Sequence, residues 1–176
     1  LIPIFPSILS ITSVVWNAKD CAPTYWENNY TSECGPFDSS AKYITSFTIG
    51  DSVEHIPAYL CYNMEKLDSI TMGNNVRSIG DHAFYGCEKI TFITLPKSIK
   101  KIGNYAFGDC YKIVKVNYTG DIADWCNIRF EGYESTPFKY RYSSPYYQTD
   151  LYINGQKVKN IVIPNTVDSI HDRAFC

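Results

Sequence analysis

The apolar positions of this chain recur with a fixed step of 23 residues. Ile44, Leu67, Ile90 and Ile113 form one column, Phe47, Ile70, Ile93 and Val116 a second, and Ile49, Met72, Leu95 and Tyr118 a third. Val53, Val76, Ile99 and Ile122 make a fourth, and Ile56, Ile79, Ile102 and Trp125 a fifth. Columns held in phase over four consecutive units mark a solenoid, in which each unit buries its apolar side against its neighbours. The template returns at Val158, Ile161, Ile163, Val167, Ile170, Ala174 and Phe175, where Val158 stands 45 residues after Ile113.

Inside each unit the pattern changes in a set order. Ile44-Thr-Ser-Phe-Thr-Ile49 and Ile90-Thr-Phe-Ile-Thr-Leu95 end in the alternation of a half-buried strand. Gly50-Asp51, Gly73-Asn74-Asn75, Pro96 and Pro164-Asn165 then supply turn chemistry. A second apolar pair follows, and after it Gly80 or Gly103; these share a column with Pro57 and His171, which argues against a need for positive φ there. Ala83-Phe84-x-x-Cys87 and Ala106-Phe107-x-x-Cys110 have room for one helical turn, with Asp81 and Asn104 as its caps. Each unit is therefore expected to run strand, turn, short extended piece, helical turn.

These residues carry a resemblance. Ser78-Ile-Gly-Asp-His-Ala-Phe-Tyr-Gly-Cys87 and Lys101-Ile-Gly-Asn-Tyr-Ala-Phe-Gly-Asp-Cys110 resemble the BspA-type leucine-rich repeats of bacterial surface proteins. The likeness covers most of residues 44 to 130 and 151 to 176, and residues 11 to 43, Asp124–Ile128 and Leu151–Gly155 are similar to segments before and within such arrays. It departs from the pattern at Cys61 and Met64, which stand where the repeat has Phe and Cys, and at Cys176, which directly follows Phe175. The resemblance implies a leucine-rich-repeat solenoid, a β-rich α/β fold with a parallel β-sheet on the concave side and short extended pieces and single helical turns on the other. One solenoid domain is expected: an N-terminal cap and degenerate first repeat over 1–43, regular repeats over 44–130, a tyrosine-rich excursion and hairpin over 131–157, and a truncated final repeat over 158–176. The resemblance also implies a secreted or cell-surface protein that attaches to host matrix proteins, host receptors or other cells.

Composition changes this picture little. The chain has 176 residues, 45% hydrophobic, enough for a continuous core. A formal net charge of -2 without a basic stripe argues against a nucleic-acid partner held by phosphate contacts. Leu1–Leu9 is apolar but too short to span a bilayer, holds two prolines and lacks a basic flank, so no membrane insertion is expected within this segment. With no initiating Met, the chain reads as a processed or excised piece, with any export signal, anchor or further repeats outside it.

Seven cysteines leave an odd thiol. Cys87 and Cys110 share a column, and coils spaced ~4.8 Å apart would stack them, as a disulfide or as two small buried hydrophobes. A bond between Cys21 and Cys34 would staple the irregular N-terminal segment. No Cys-x-x-Cys occurs and His55, His82 and His171 fall in different units, so neither a metal nor a cofactor is expected. Glu131 and Glu134 lie in one loop rather than across a cleft, and no nucleophile, base and orienting group converge, which argues against an enzyme.

Two surfaces remain as binding candidates. The outward strand positions form columns: Ser46, Ser69, Phe92 and Lys115 with Asn160, and Thr48, Thr71, Thr94 and Asn117 with Val162. They suit a rigid contact face, although Ser and Thr also occupy exposed strand sites by β propensity alone. The stretch Phe130 to Tyr152 is rich in tyrosine, and Tyr140, Tyr142, Tyr146 and Tyr147 are candidate anchors for a protein or a glycan. It reads either as an excursion from the solenoid or as a degenerate coil whose tyrosines are packing. Ile153-Asn-Gly-Gln156 is expected to be a two-residue hairpin turn that returns the chain to a strand over Val158–Ile163. A protein partner is the leading expectation; glycan binding and a purely structural spacer are the alternatives.

Overall fold

A computed structural model of the chain describes residues 11–19, 37–132, 134–138 and 148–175. Among them the elements follow in the order β1 (Ser13–Trp16), α1 (Asp38–Ala41), β2 (Ser46–Ile49), β3 (His55–Ile56), β4 (Ser69–Met72), β5 (Ser78–Ile79), β6 (Phe92–Leu95), β7 (Lys101–Ile102), β8 (Lys115–Tyr118), α2 (Ile122–Cys126), β9 (Arg129–Phe130), β10 (Asp150–Ile153) and β11 (Gln156–Lys157). The four-residue strands build a broad parallel sheet, ordered β1-β2-β4 and then β6-β8-β10, with β11 antiparallel on the edge of β10. The two-residue strands build a second parallel sheet, β3-β5-β7-β9. Neighbouring coils are therefore joined by lateral hydrogen bonds along both sheets, except across β4 and β6, the arrangement of a leucine-rich-repeat solenoid.

The apolar columns line the interior. Ile44, Leu67, Ile90 and Ile113 are at most 2% exposed, and Phe47, Ile93, Val116, Ile56, Ile79 and Ile102 are equally buried. Register confirms the 23-residue step in the regular coils, since Phe47 pairs with Ile70, Ile79 with Ile102 and Ile93 with Val116. β4 and β6 lie side by side without a ladder. Pro96 sits at this seam and has no amide to donate across it, whereas Gly50 N gives a bond to Trp16 O and Thr119 N one to Leu95 O.

The third side is made of successive four-residue turns. Ala83 N donates to Gly80 O, Tyr85 N to His82 O and Cys87 N to Phe84 O. Positive φ at His82 (54°) and Gly86 (71°) keeps these turns from joining into helix. Alternate amides instead reach the next coil, as Cys61 N does to Ala83 O and Phe84 N to Ala106 O. Asp81 is no helix cap here, because its Oδ1 accepts from Asn104 N of the following coil at 2.9 Å. Gly80 and Gly103 have ordinary φ; they are small because coils touch there, a Cβ on Gly80 falling 2.4 Å from Ala58 N.

Beyond Tyr118 the spacing and the structure part company. Asp121 accepts a 2.8 Å bond from Asp124 N and starts α2, which takes Ile122 and Trp125 out of their expected columns. Phe130 fills the vacated place beside Ile102, rather than continuing the column of Phe84 and Phe107. The next broad strand is β10, with Leu151 beside Val116. Since β10 takes the edge of β8 and β11 turns back along β10, Val158–Ile163 has no ladder to join and forms no strand. In the final copy Ile161 and Ile170 are 47% and 46% exposed and Phe175 is also exposed, Val158, Ile163 and Val167 are half-buried, and Ala174 is buried. Trp125 anchors this segment, its Nε1 donating to Ala174 O at 2.8 Å.

Candidate interaction surface

The outward columns of the broad sheet come together as the sequence predicts. Their strand neighbours Phe47, Ile49, Ile93, Leu95, Val116 and Tyr118 point inward and are buried, so by alternation Ser46, Thr48, Ser69, Thr71, Phe92, Thr94, Lys115 and Asn117 point out. Ser46 pairs with Ser69 and Thr48 with Thr71; Phe92 pairs with Lys115 and Thr94 with Asn117. β1 extends the same columns with Ser13 and Val15, the latter 66% exposed.

At the other edge the expected partners are replaced. Asp150 and Tyr152, rather than Asn160 and Val162, flank Lys115 and Asn117, because β10 and not Val158–Ile163 pairs with β8. The hairpin itself is as expected: Asn154 and Gly155 adopt φ of 49° and 79°, and Ile153 pairs with Gln156. Lys115 Nζ stands 4.4 Å above the Tyr152 ring, and Lys157 bonds Asp150 at 2.6 Å, an interaction that raises the lysine pKa. Asn117 is committed to the fold, since its Oδ1 accepts from Gly155 N at 2.8 Å. The face is thus small and hydroxylated over β2 and β4, and aromatic and charged from β6 to β11, with Phe92 48% exposed.

Tyr140, Tyr142, Tyr146, Tyr147, Cys21 and Cys34 lie outside the described residues. Cys87 and Cys110 are buried thiols whose Sγ atoms donate to Cys61 O and Phe84 O, and burial pushes the Cys87 thiol well above its ordinary pKa. The small-hydrophobe reading of that pair holds. His55 Nδ1 and Ser78 Oγ are 2.8 Å apart, but as register partners on an exposed sheet face.

An aromatic cluster that the apolar columns do not include lies on the turn side. Tyr59, His82 and Tyr105 stack ring on ring, at 4.9 and 5.2 Å, and Tyr62 stacks on Tyr85 at 5.2 Å. Tyr85 is pushed up to about 12 by its hydrogen bond with Asp109 and by burial. The signal was present, because 59, 82 and 105 are one 23-residue column and 62 and 85 another. A histidine among the tyrosines hid the aromatic character of the first.

The model of the BspA type leucine rich repeat region matches the chain in 6 copies, over residues 35–141 and 146–176. No curated protein matches it. Among solved structures it is similar to a leucine rich repeat protein of T. pallidum, at 21% identity over 61% of this chain and 52% of that one, with a TM-score of 0.36. It is also similar to a leucine rich cell surface protein of Faecalibacterium prausnitzii, at 27% identity over 51% and 30%, TM-score 0.37. A leucine-rich repeat protein of Bacteroides ovatus matches at 17% identity over 90% and 53%, TM-score 0.35. The chain spans about half or less of the length of each of these structures.

Proposed function

The chain belongs to the BspA-type leucine-rich repeat family, and from that premise we propose that it is a non-catalytic protein-interaction module of a secreted or cell-surface bacterial protein. It acts as one solenoid domain that attaches to a host matrix protein, a receptor or another cell-surface protein. The observation that carries this reading is the broad sheet, whose outward columns are held in register by ladders within β1-β2-β4 and within β6-β8-β10 and lose little entropy on contact. Phe92, Tyr152 and Lys115 are the anchors by chemistry, since aromatic and cationic groups dominate interface energetics, and the Ser and Thr columns supply flat complementarity around them. The four tyrosines between residues 140 and 147 belong to the same proposal as a second contact.

Capture of the purified chain on arrays of matrix proteins and receptors tests this directly. Thr71→Lys with Thr94→Lys places two bulky charges on the face without touching the core. Specific capture lost in that double variant, with an unchanged melting curve, is the expected result. Capture that survives the substitutions removes this face, and no capture by any array favours the spacer reading.

A further inference from the structure

A concavity unrelated to the broad sheet opens where the array loses its regular step. It is an open cleft of about 350 Å3, at the small end for a ligand site, between the turn residues Asp81 and Asn104, strand β9 and the segment His171–Arg173. The lengthened fourth unit produces it. Phe130 takes the column position beside Ile102, and the final copy is tied to α2, through His171 N to Cys126 O at 3.3 Å and Trp125 Nε1 to Ala174 O. A coil anchored in this way does not close flush on its neighbour.

The lining narrows the ligand by elimination. Carboxylates of Asp81, Glu131 and Asp172 oppose a strongly anionic ligand, and the guanidinium groups of Arg129 and Arg173 oppose a strongly cationic one. Phe130 is 4% exposed and offers little apolar wall, so a lipid or a bare aromatic ring gains nothing. Among the described residues no group of three or more His, Cys, Asp or Glu could hold a metal ion. Acceptors and donors interleaved at this density suit a ligand without net charge whose polar groups both donate and accept, as a sugar hydroxyl does. Arg129 is already aimed by its Nε contact with Glu131 at 3.3 Å, and Glu131 is fixed from its other side by Lys101 at 2.7 Å, so part of the site is set before any ligand arrives.

We propose that this cleft is a subsite for one ring of a neutral saccharide, with Asp172 and Asp81 accepting from its hydroxyls and Arg129 and Asn104 donating to them. The site is open and wet, so its affinity is weak and its use is to add a glycan contact beside the protein contact of the sheet.

Titration with the methyl glycosides of glucose, galactose, mannose and N-acetylglucosamine, followed by amide chemical shifts, tests the proposal. Glucuronate and glucosamine serve as charged counterparts. A neutral glycoside is expected to shift residues around β9 and His171. Asp172→Ala and Arg129→Gln, both at exposed positions, should each weaken it about tenfold through loss of a charge-assisted hydrogen bond, with melting unchanged. The Thr71→Lys, Thr94→Lys variant should bind the sugar as the parent does, which separates this site from the sheet. No shift with any neutral glycoside, preference for a charged sugar, or parent-like binding by both cleft variants would overturn it.

Discussion

Residues 44–118 and residues 119–175 carry the same apolar template, yet only the first stretch obeys its spacing. In the regular coils the residue beside Ile79 is Ile102, 23 positions on, and Ile93 faces Val116 at the same step. Later the neighbour of Ile102 is Phe130, 28 positions on, and that of Val116 is Leu151, 35 positions on. What is kept across both regions is an apolar side chain beside Ile102 and beside Val116, and the lateral ladder decides which residue supplies it. Equal spacing is the special case in which every coil has one length.

Two substitutions in a single sequence column break this comparison most sharply. By spacing, Ile170 of the final copy belongs with Ile79, but Ile79 is 1% exposed and Ile170 is 46% exposed. Ile79→Asp should cost about 4 kcal/mol or more, by burying an unpaired carboxylate, and leave an unfolded chain at neutral pH. Ile170→Asp should change stability by less than about 0.5 kcal/mol, as a surface substitution does. Thermal unfolding by circular dichroism reads both; equal losses would mean that the final copy is packed like the regular coils.

How far the fold could be read from the sequence follows the same line. Strands β2, β4, β6 and β8 were legible, because alternation and repetition select the same residues, and so was the hairpin at Asn154-Gly155, where both φ values need those residue types. The lengthening after Tyr118 was not legible from the columns, because Trp125 is apolar and lands by count where an apolar residue belongs. Local chemistry marked the difference, with Asp121 three residues before Asp124 at the start of an apolar run, and so did the likeness of Asp124–Ile128 to segments within arrays of this family. The outward columns of the candidate face were legible up to Lys115 and Asn117. Their continuation into Asp150 and Tyr152 was not, because it depends on which later strand wins the edge of β8.

Phe130 sharpens the point with a middle-sized effect. Its ring sits in the short-strand column against Ile102 and lies 5.9 Å from Trp125, which in turn contacts Tyr118. Phe130→Ala should cost about 3 kcal/mol through the cavity it leaves. Phe130→Ile, which gives the column the residue type found at Ile56, Ile79 and Ile102, should cost only about 1 kcal/mol. Urea unfolding at a constant slope checks the ranking. Equal losses would place Phe130 in a site shaped for its ring alone, outside the column.

The smallest contrast concerns two glycines, one from each region. Gly80 has ordinary φ and no room, its absent Cβ lying 2.4 Å from the backbone of the preceding coil, so Gly80→Ala must push two coils apart and should cost about 2 kcal/mol. Gly155 has open space and a φ of 79°, so Gly155→Ala meets no neighbour and should cost about 1 kcal/mol, through the left-handed backbone alone. The two losses differ in kind as well as size. At position 155, Asn is expected to recover part of the loss, because it tolerates that conformation, whereas Asn at position 80 should be worse than Ala. If Asn rescued both positions, the close approach of the coils at Gly80 would not be what holds that residue small.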